Sequence, residues 1–172
     1  SNVFLVDDES TPSGKRVELS EVAKPLTSHG DSADTNEWMA ADGFSMTPPI
    51  VAILGSPVRE TELPGIFDDP EMTLNAISPT LIIEAESGTL VPHFTDLDPR
   101  ATNELEQALI VRPIVGLEPE TRYIVVMQGL RGEDGLVVSA PEGFRRIRDA
   151  RVGNDPVLSP LAERYEEEIF PV

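Results

Sequence analysis

Between Ile50 and about Asp149 the sequence alternates short aliphatic and β-branched runs with turn-forming residues. The runs are Ile50–Leu54, Leu81–Ala85, Leu90–Phe94, Ala108–Arg112, Arg122–Met127 and Leu136–Val138. They are too short for buried helices and rich in Val and Ile, so each predicts a strand. No long stretch of 3.6-residue period separates them. This disfavours parallel β-α-β units and predicts an all-β fold, an antiparallel sandwich. Pro92 cannot donate to a ladder, which places its run at an edge or a bulge. Asp69-Pro70-Glu71 has the cap and first-turn pattern of a helical turn running toward Asn75.

The flanks differ in texture. Residues 1–41 hold one short apolar run, Val3-Phe4-Leu5-Val6, and then a polar stretch through Trp38. This predicts an arm in which Val3–Val6 adds an edge strand and Trp38 packs under a loop. Composition leaves residues 24–37 open between such an arm and disorder. Near the C-terminus Ser159-Pro160 can cap and start a helix, with Leu161, Tyr165 and Ile169 at spacing four on one face. Glu166, Glu167 and Glu168 sit where the helix dipole disfavours negative charge, so packing must hold that helix. The division that follows is an arm over 1–41, a sandwich over 42–149 and a linker helix over 150–172.

Charge narrows the classes of function. The 172 residues carry 31 acidic and 13 basic side chains, a net charge of -18. Residues 1–86 hold 16 acids against 4 bases, and the remainder 15 against 9, so the first half is the more strongly solvated. Such a chain repels phosphate backbones and gathers no basic stripe, which argues against nucleic-acid binding. A hydrophobic content of 40 % still supports a folded core. Without cysteine there is no disulfide framework, no thiolate metal site and no cysteine nucleophile. No apolar run approaches the roughly 20 residues of a membrane-spanning helix. Starting at Ser1 with neither initiator methionine nor leader, the chain reads as a processed or excised form.

One local motif is sharper. Leu117-Glu118-Pro119-Glu120-Thr121-Arg122-Tyr123 has the L-x-P-x-T-x-Y form of a tyrosine corner. There the phenol folds back so that its hydroxyl satisfies an upstream backbone group, while the leucine plugs the gap between sheets. With the run Ala108–Pro113 before it and Gly129–Gly135 after it, the segment resembles the bacterial immunoglobulin-like domains of surface-layer and secreted proteins. Ser1-Asn2-Val3-Phe4, Asp42-Gly43-Phe44-Ser45, Val91-Pro92-His93-Phe94 and Arg164-Tyr165-Glu166-Glu167 with Ile169-Phe170 extend the likeness. In that order they resemble the N-terminal domain of secreted bacterial lipases and esterases of the virulence-factor lipase type. Residues 20–41 and 56–66 depart from that pattern. The resemblance implies an immunoglobulin-like, non-catalytic module that precedes an α/β-hydrolase domain, with the Tyr165 helix as connector.

The residues themselves carry little chemistry. A hydrolase nucleophile needs the strained G-x-S-x-G elbow. Gly43-Phe44-Ser45-Met46-Thr47 comes nearest and lacks the second glycine, so Ser45 reads as a turn residue. Of the two histidines, His29 lies in the polar arm, and His93 reads as a packed or surface side chain rather than a general base. Asp7-Asp8-Glu9, Asp68-Asp69 and Asp96-Leu97-Asp98 are the sets a calcium ion would use. Arg100 stands where a third oxygen ligand would be needed, and Asp favours turns for backbone reasons alone, so no metal or other cofactor is expected.

The expectation is a non-catalytic accessory domain of a secreted, periplasmic or cell-surface bacterial protein, its partner a neighbouring hydrolase domain. The alternative is a surface or filament-forming protein whose like subunits assemble through edge strands such as Val3 to Val6.

Overall fold

A computed structural model of the chain describes residues 4–172, which divide into two compact units, one ending at Met46 and one beginning at Thr47. Ser1, Asn2 and Val3, part of the expected N-terminal strand and of the first resemblance motif, lie outside the described residues.

The first unit is built on a hairpin. Strand β1 (Leu5–Asp7) pairs antiparallel with β2 (Lys15–Val17), Leu5 opposite Val17. The expected edge strand thus finds its partner ten residues on. The connecting loop is closed by Asp8, whose carboxylate accepts from the Ser10 N–H at 2.9 Å, and by Gly14 at φ 70°. The buried Val17 donates its N–H to the carbonyl of Ala41 at 2.9 Å, just past a single turn over Trp38–Ala40. Trp38 itself remains more than half exposed. The far end of the arm is therefore held by a backbone bond, and the expected indole anchor is absent.

The second unit is built around strands in antiparallel sheets. Strands β3 (Ile50–Ile53), β4 (Thr80–Glu84), β5 (His93–Leu97), β6 (Ala108–Pro113) and β7 (Tyr123–Met127) form two ladders. The first has the order β3-β6-β5 and the second pairs β4 with β7. Side chains of both ladders meet in one core. Ile82 of β4 and Val111 of β6 are fully buried with Val91, and Ile50, Leu117, Tyr123, Val125 and Met127 pack around them. A second cluster of Val58, Leu63, Leu109 and Leu130 continues it toward the loops.

Two expected strands come out differently. The run Leu90–Phe94 begins its ladder only at His93, because Pro92 has no N–H to give, and the strand extends to Leu97 instead. Leu136–Val138 makes only an isolated bridge between Val137 and Arg131 after the turn at Gly135. The turn over Pro70–Leu74 forms with Asp69 as its cap, accepting from Glu71 N–H at 3.0 Å.

Two short helices close the unit. Helix α1 (Glu142–Arg148) follows Pro141 and buries only Ile147. Helix α2 (Leu158–Arg164) starts before the expected Ser159-Pro160 cap. Its first N–H groups, on Val157 and Leu158, are taken by the Asp155 carboxylate at 3.0 and 3.1 Å. Asp155 also accepts from Arg146 at 3.0 Å, tying α1 to α2. A wide turn over Tyr165–Ile169 continues α2. Phe170 lies tilted against Tyr165 at 5.5 Å between ring centres, and Phe144 of α1 meets the same ring edge-on at 5.8 Å. Glu168 escapes the unfavourable helix end by pairing with Arg164 at 3.1 Å and Arg122 at 2.8 Å.

Candidate interaction surface

Ser45 and His29 are exposed in the first unit. His93 belongs to the second, where it is 1 % exposed and fully engaged. Its Nδ1 lies 2.9 Å from the carbonyl oxygen of Val91 and its Nε2 2.9 Å from the hydroxyl of Thr80. A carbonyl only accepts, so Nδ1 carries the proton and, in the neutral ring, Nε2 accepts from Thr80. Desolvation lowers the pKa of this imidazole below its ordinary value, opposed by the bonds to Val91 and Thr80. Both nitrogens are committed, and the ring has no lone pair to offer a substrate. Its own N–H bonds Thr73 Oγ1 at 3.3 Å, so three elements meet on this residue.

The aspartates considered for calcium are engaged in local structure. Asp7 pairs with Lys15, and Asp8 with Ser10 and Arg16. The bonds from Ser10 hold the Asp8 carboxyl below the usual range. Asp68 accepts from Gly65 N–H at 2.8 Å, and Asp96 pairs with Arg112 at 2.8 Å. Asp98 accepts from Arg100 N–H at 3.0 Å, which lowers its pKa. Among the described residues no three potential ligands stand together. A shallow cleft of about 480 Å³ is lined by Glu84, Glu86, Glu120, Glu167 and Glu168, with Arg122 its sole base.

The apolar surface is more unusual. The long connection from β3 to β4 is anchored at its base: Arg59 N–H donates to Arg131 O at 2.7 Å, Gln128 Nε2 to Ala76 O at 2.6 Å, and Val58 and Leu63 are buried beside Leu130. Its tip is turned outward. Phe67 is 99 % exposed and Ile66, Met72 and Leu74 stand out with it, while Ile77 is 85 % exposed between the anchored Ala76 and Ser78. Leu136 and Val137, in the loop that follows β7, are exposed too. Asp68, Asp69 and Glu71 surround the tip with negative charge. A loop bonded to the sheets at its base with large apolar side chains in water is the character of a contact surface. These residues went unremarked in the sequence because they fall between turn formers, outside any periodic run.

Among the described residues no helix is long and apolar enough to cross a membrane. No family model, curated protein or solved structure matches the chain.

Proposed function

We propose that the second unit is an immunoglobulin-like sandwich acting as a non-catalytic accessory module of an exported bacterial protein, placed before an α/β-hydrolase domain that it positions or stabilises. The observation that carries the fold is the pairing order. An immunoglobulin domain places strands A, B, E and D in one sheet and C, F and G in the other, with the tyrosine corner at the start of F. Taken in chain order as B, C, D, E and F, the five strands here pair as B-E-D and C-F. Tyr123 opens the last of them, and its hydroxyl accepts from the N–H of Glu118 at 3.0 Å. The accessory role draws on the lipase-type resemblance. It is supported by the closed-off His93, whose two ring nitrogens are both engaged, and by the outward apolar side chains around Phe67, a contact surface for the neighbouring domain.

Short-chain ester hydrolysis by the purified chain tests this reading. No turnover above buffer is expected, with Ser45→Ala indistinguishable from wild type; robust turnover abolished by Ser45→Ala overturns it.

A further inference from the structure

Each ladder has two outer edges, and the four are treated differently by the chain. In an antiparallel pair, successive residues direct their N–H and C=O groups alternately toward the partner and away from it. Asp98 N–H bonds Ala108 O, and Ile114 N–H bonds Pro92 O, so the even-numbered residues of β6 face β5. Leu109 and Val111 therefore face β3, opposite Ala52 and Ile50. This leaves the backbone groups of Val51 and Ile53 on the outer edge. By the same count, set by the bond from Ala85 N–H to Arg122 O, those of Tyr123, Val125 and Met127 lie on the outer edge of β7.

The other two edges are covered. On β5, Thr95 N–H reaches Pro64 O at 2.7 Å, and on β4 Ile82 O accepts from Val91 N–H and Glu84 N–H bonds Thr89 O, both at 2.9 Å. Of the open edges, β7 turns Tyr123, Val125 and Met127 into the core. On β3, Val51 and Ile53 are each 58 % exposed. Natural edge strands are commonly blunted by charge. No charged side chain occurs from Thr47 to Val58 in a chain of net charge -18.

We propose that β3 is the pairing edge for a second copy of this chain, joined antiparallel about a two-fold axis at Ala52. In that register Val51 lies opposite Ile53 of the second copy and Ile53 opposite its Val51. Both pairs are of the hydrogen-bonded kind, so every free N–H and C=O of the two residues is satisfied. The exposed side chains become Val-Ile cross-strand pairs on one face. Two-fold pairing sets the same segment of each chain side by side, and with no charged side chain from Thr47 to Val58 it brings no like charges opposite one another, which suits a like copy. Two-fold pairing closes on itself and gives a dimer with a six-stranded sheet, not a filament. The contact is small and the two chains carry like charge, so the dimer is weak and is strengthened by salt. The inference rests on the strand edges alone and is independent of the accessory role.

Sedimentation of the whole chain over a wide concentration range, at about 0.01 M and about 1 M salt, tests it, since the Debye length falls about tenfold between the two. The weight-average mass is expected to climb toward twice the monomer value with concentration, more steeply at high salt. Amide exchange at Val51 and Ile53 should slow in parallel, while Ile50 and Ala52 are already protected in the monomer. Val51→Pro removes an N–H that β6 does not use, and Val51→Lys places a charge on the edge; both should stay monomeric with an unchanged melting curve. A wild-type chain that remains monomeric at high salt, a dimer that survives Val51→Pro, or a wild-type dimer in which Val51 and Ile53 still exchange freely overturns the proposal.

Discussion

Replacing His93 by leucine is expected to destabilise the second unit at neutral pH and to remove most of the pH dependence of its stability between pH 7 and 5. His93 joins the two ladders: it stands on β5, and its Nε2 meets Thr80 on β4. The change leaves the Thr80 hydroxyl and the Val91 carbonyl without their buried partner. Each such orphan costs about 1–3 kcal/mol, so a loss of about 3 kcal/mol is expected at pH 8. For a chain of this size that corresponds to a fall in melting temperature of about 6–12 °C. The sign of the pH effect follows from burial, which depresses the folded pKa below the ordinary value for histidine. Above that value the ring is neutral in both states and its contribution is intact. As pH falls below it the unfolded chain takes up a proton that the folded one resists. Stability then drops by up to about 1.4 kcal/mol per pH unit until the folded ring also protonates. Leucine does not titrate. Thermal unfolding of both proteins at half-unit pH steps from 8 to 5 should show curves that converge as pH falls. Parallel curves with equal slopes would refute the argument, because the proton uptake would then belong to other groups.

Tyr123→Phe deletes the hydroxyl that accepts from Glu118 N–H and should cost about 1 kcal/mol, read as a fall in melting temperature of about 2–4 °C with the strand pairing unchanged. Asp155→Ala removes both the cap of α2 and the partner of Arg146, so amide exchange at Val157 and Leu158 should accelerate selectively while the ladders keep their protection. The bonds from Leu158 and Val157 hold the Asp155 carboxyl below 3.8. Its support of the helix is therefore complete above that pH and is lost as acid carries the pH down through the lower folded value. Exchange measured in wild type at about pH 5 should still show a protected α2.

Legibility in the sequence followed range. The strands at Ile50, Thr80, Ala108 and Tyr123 are visible because β-branched runs between turn residues are a local signal, and the corner at Tyr123 because Leu117, Pro119 and Thr121 lie within a few residues of it. Failures occurred where distant partners decide. Leu136–Val138 has strand composition, yet only Arg131 lies across from it, so it stays a bridge. Helix α1 was missed because one buried residue, Ile147, gives no periodicity to read, and its three arginines resemble a solvated loop. The start of α2 lies before the expected Ser159 because Asp155, four residues earlier, takes the N–H groups of Val157 and Leu158, while the Ser159 hydroxyl bonds the Gly153 carbonyl. The engagement of His93 depends on Thr73 and Thr80, which lie outside its own strand and leave no trace in the residues nearby.

The wide turn at Tyr165–Ile169 has a consequence for how the C-terminal segment tolerates insertions and deletions. The bond from Phe170 N–H to Tyr165 O spans five residues where a regular helix spans four. One extra residue has in effect been absorbed, shifting the phase of everything beyond it by about 100°. Losing any one of Glu166, Glu167 or Glu168 would restore the ordinary repeat and bring the Phe170 side chain back over Tyr165 four positions away. The aromatic contact is thus compatible with two chain lengths, and the acidic triplet is the place where the protein can change length by one without moving its last turn out of register.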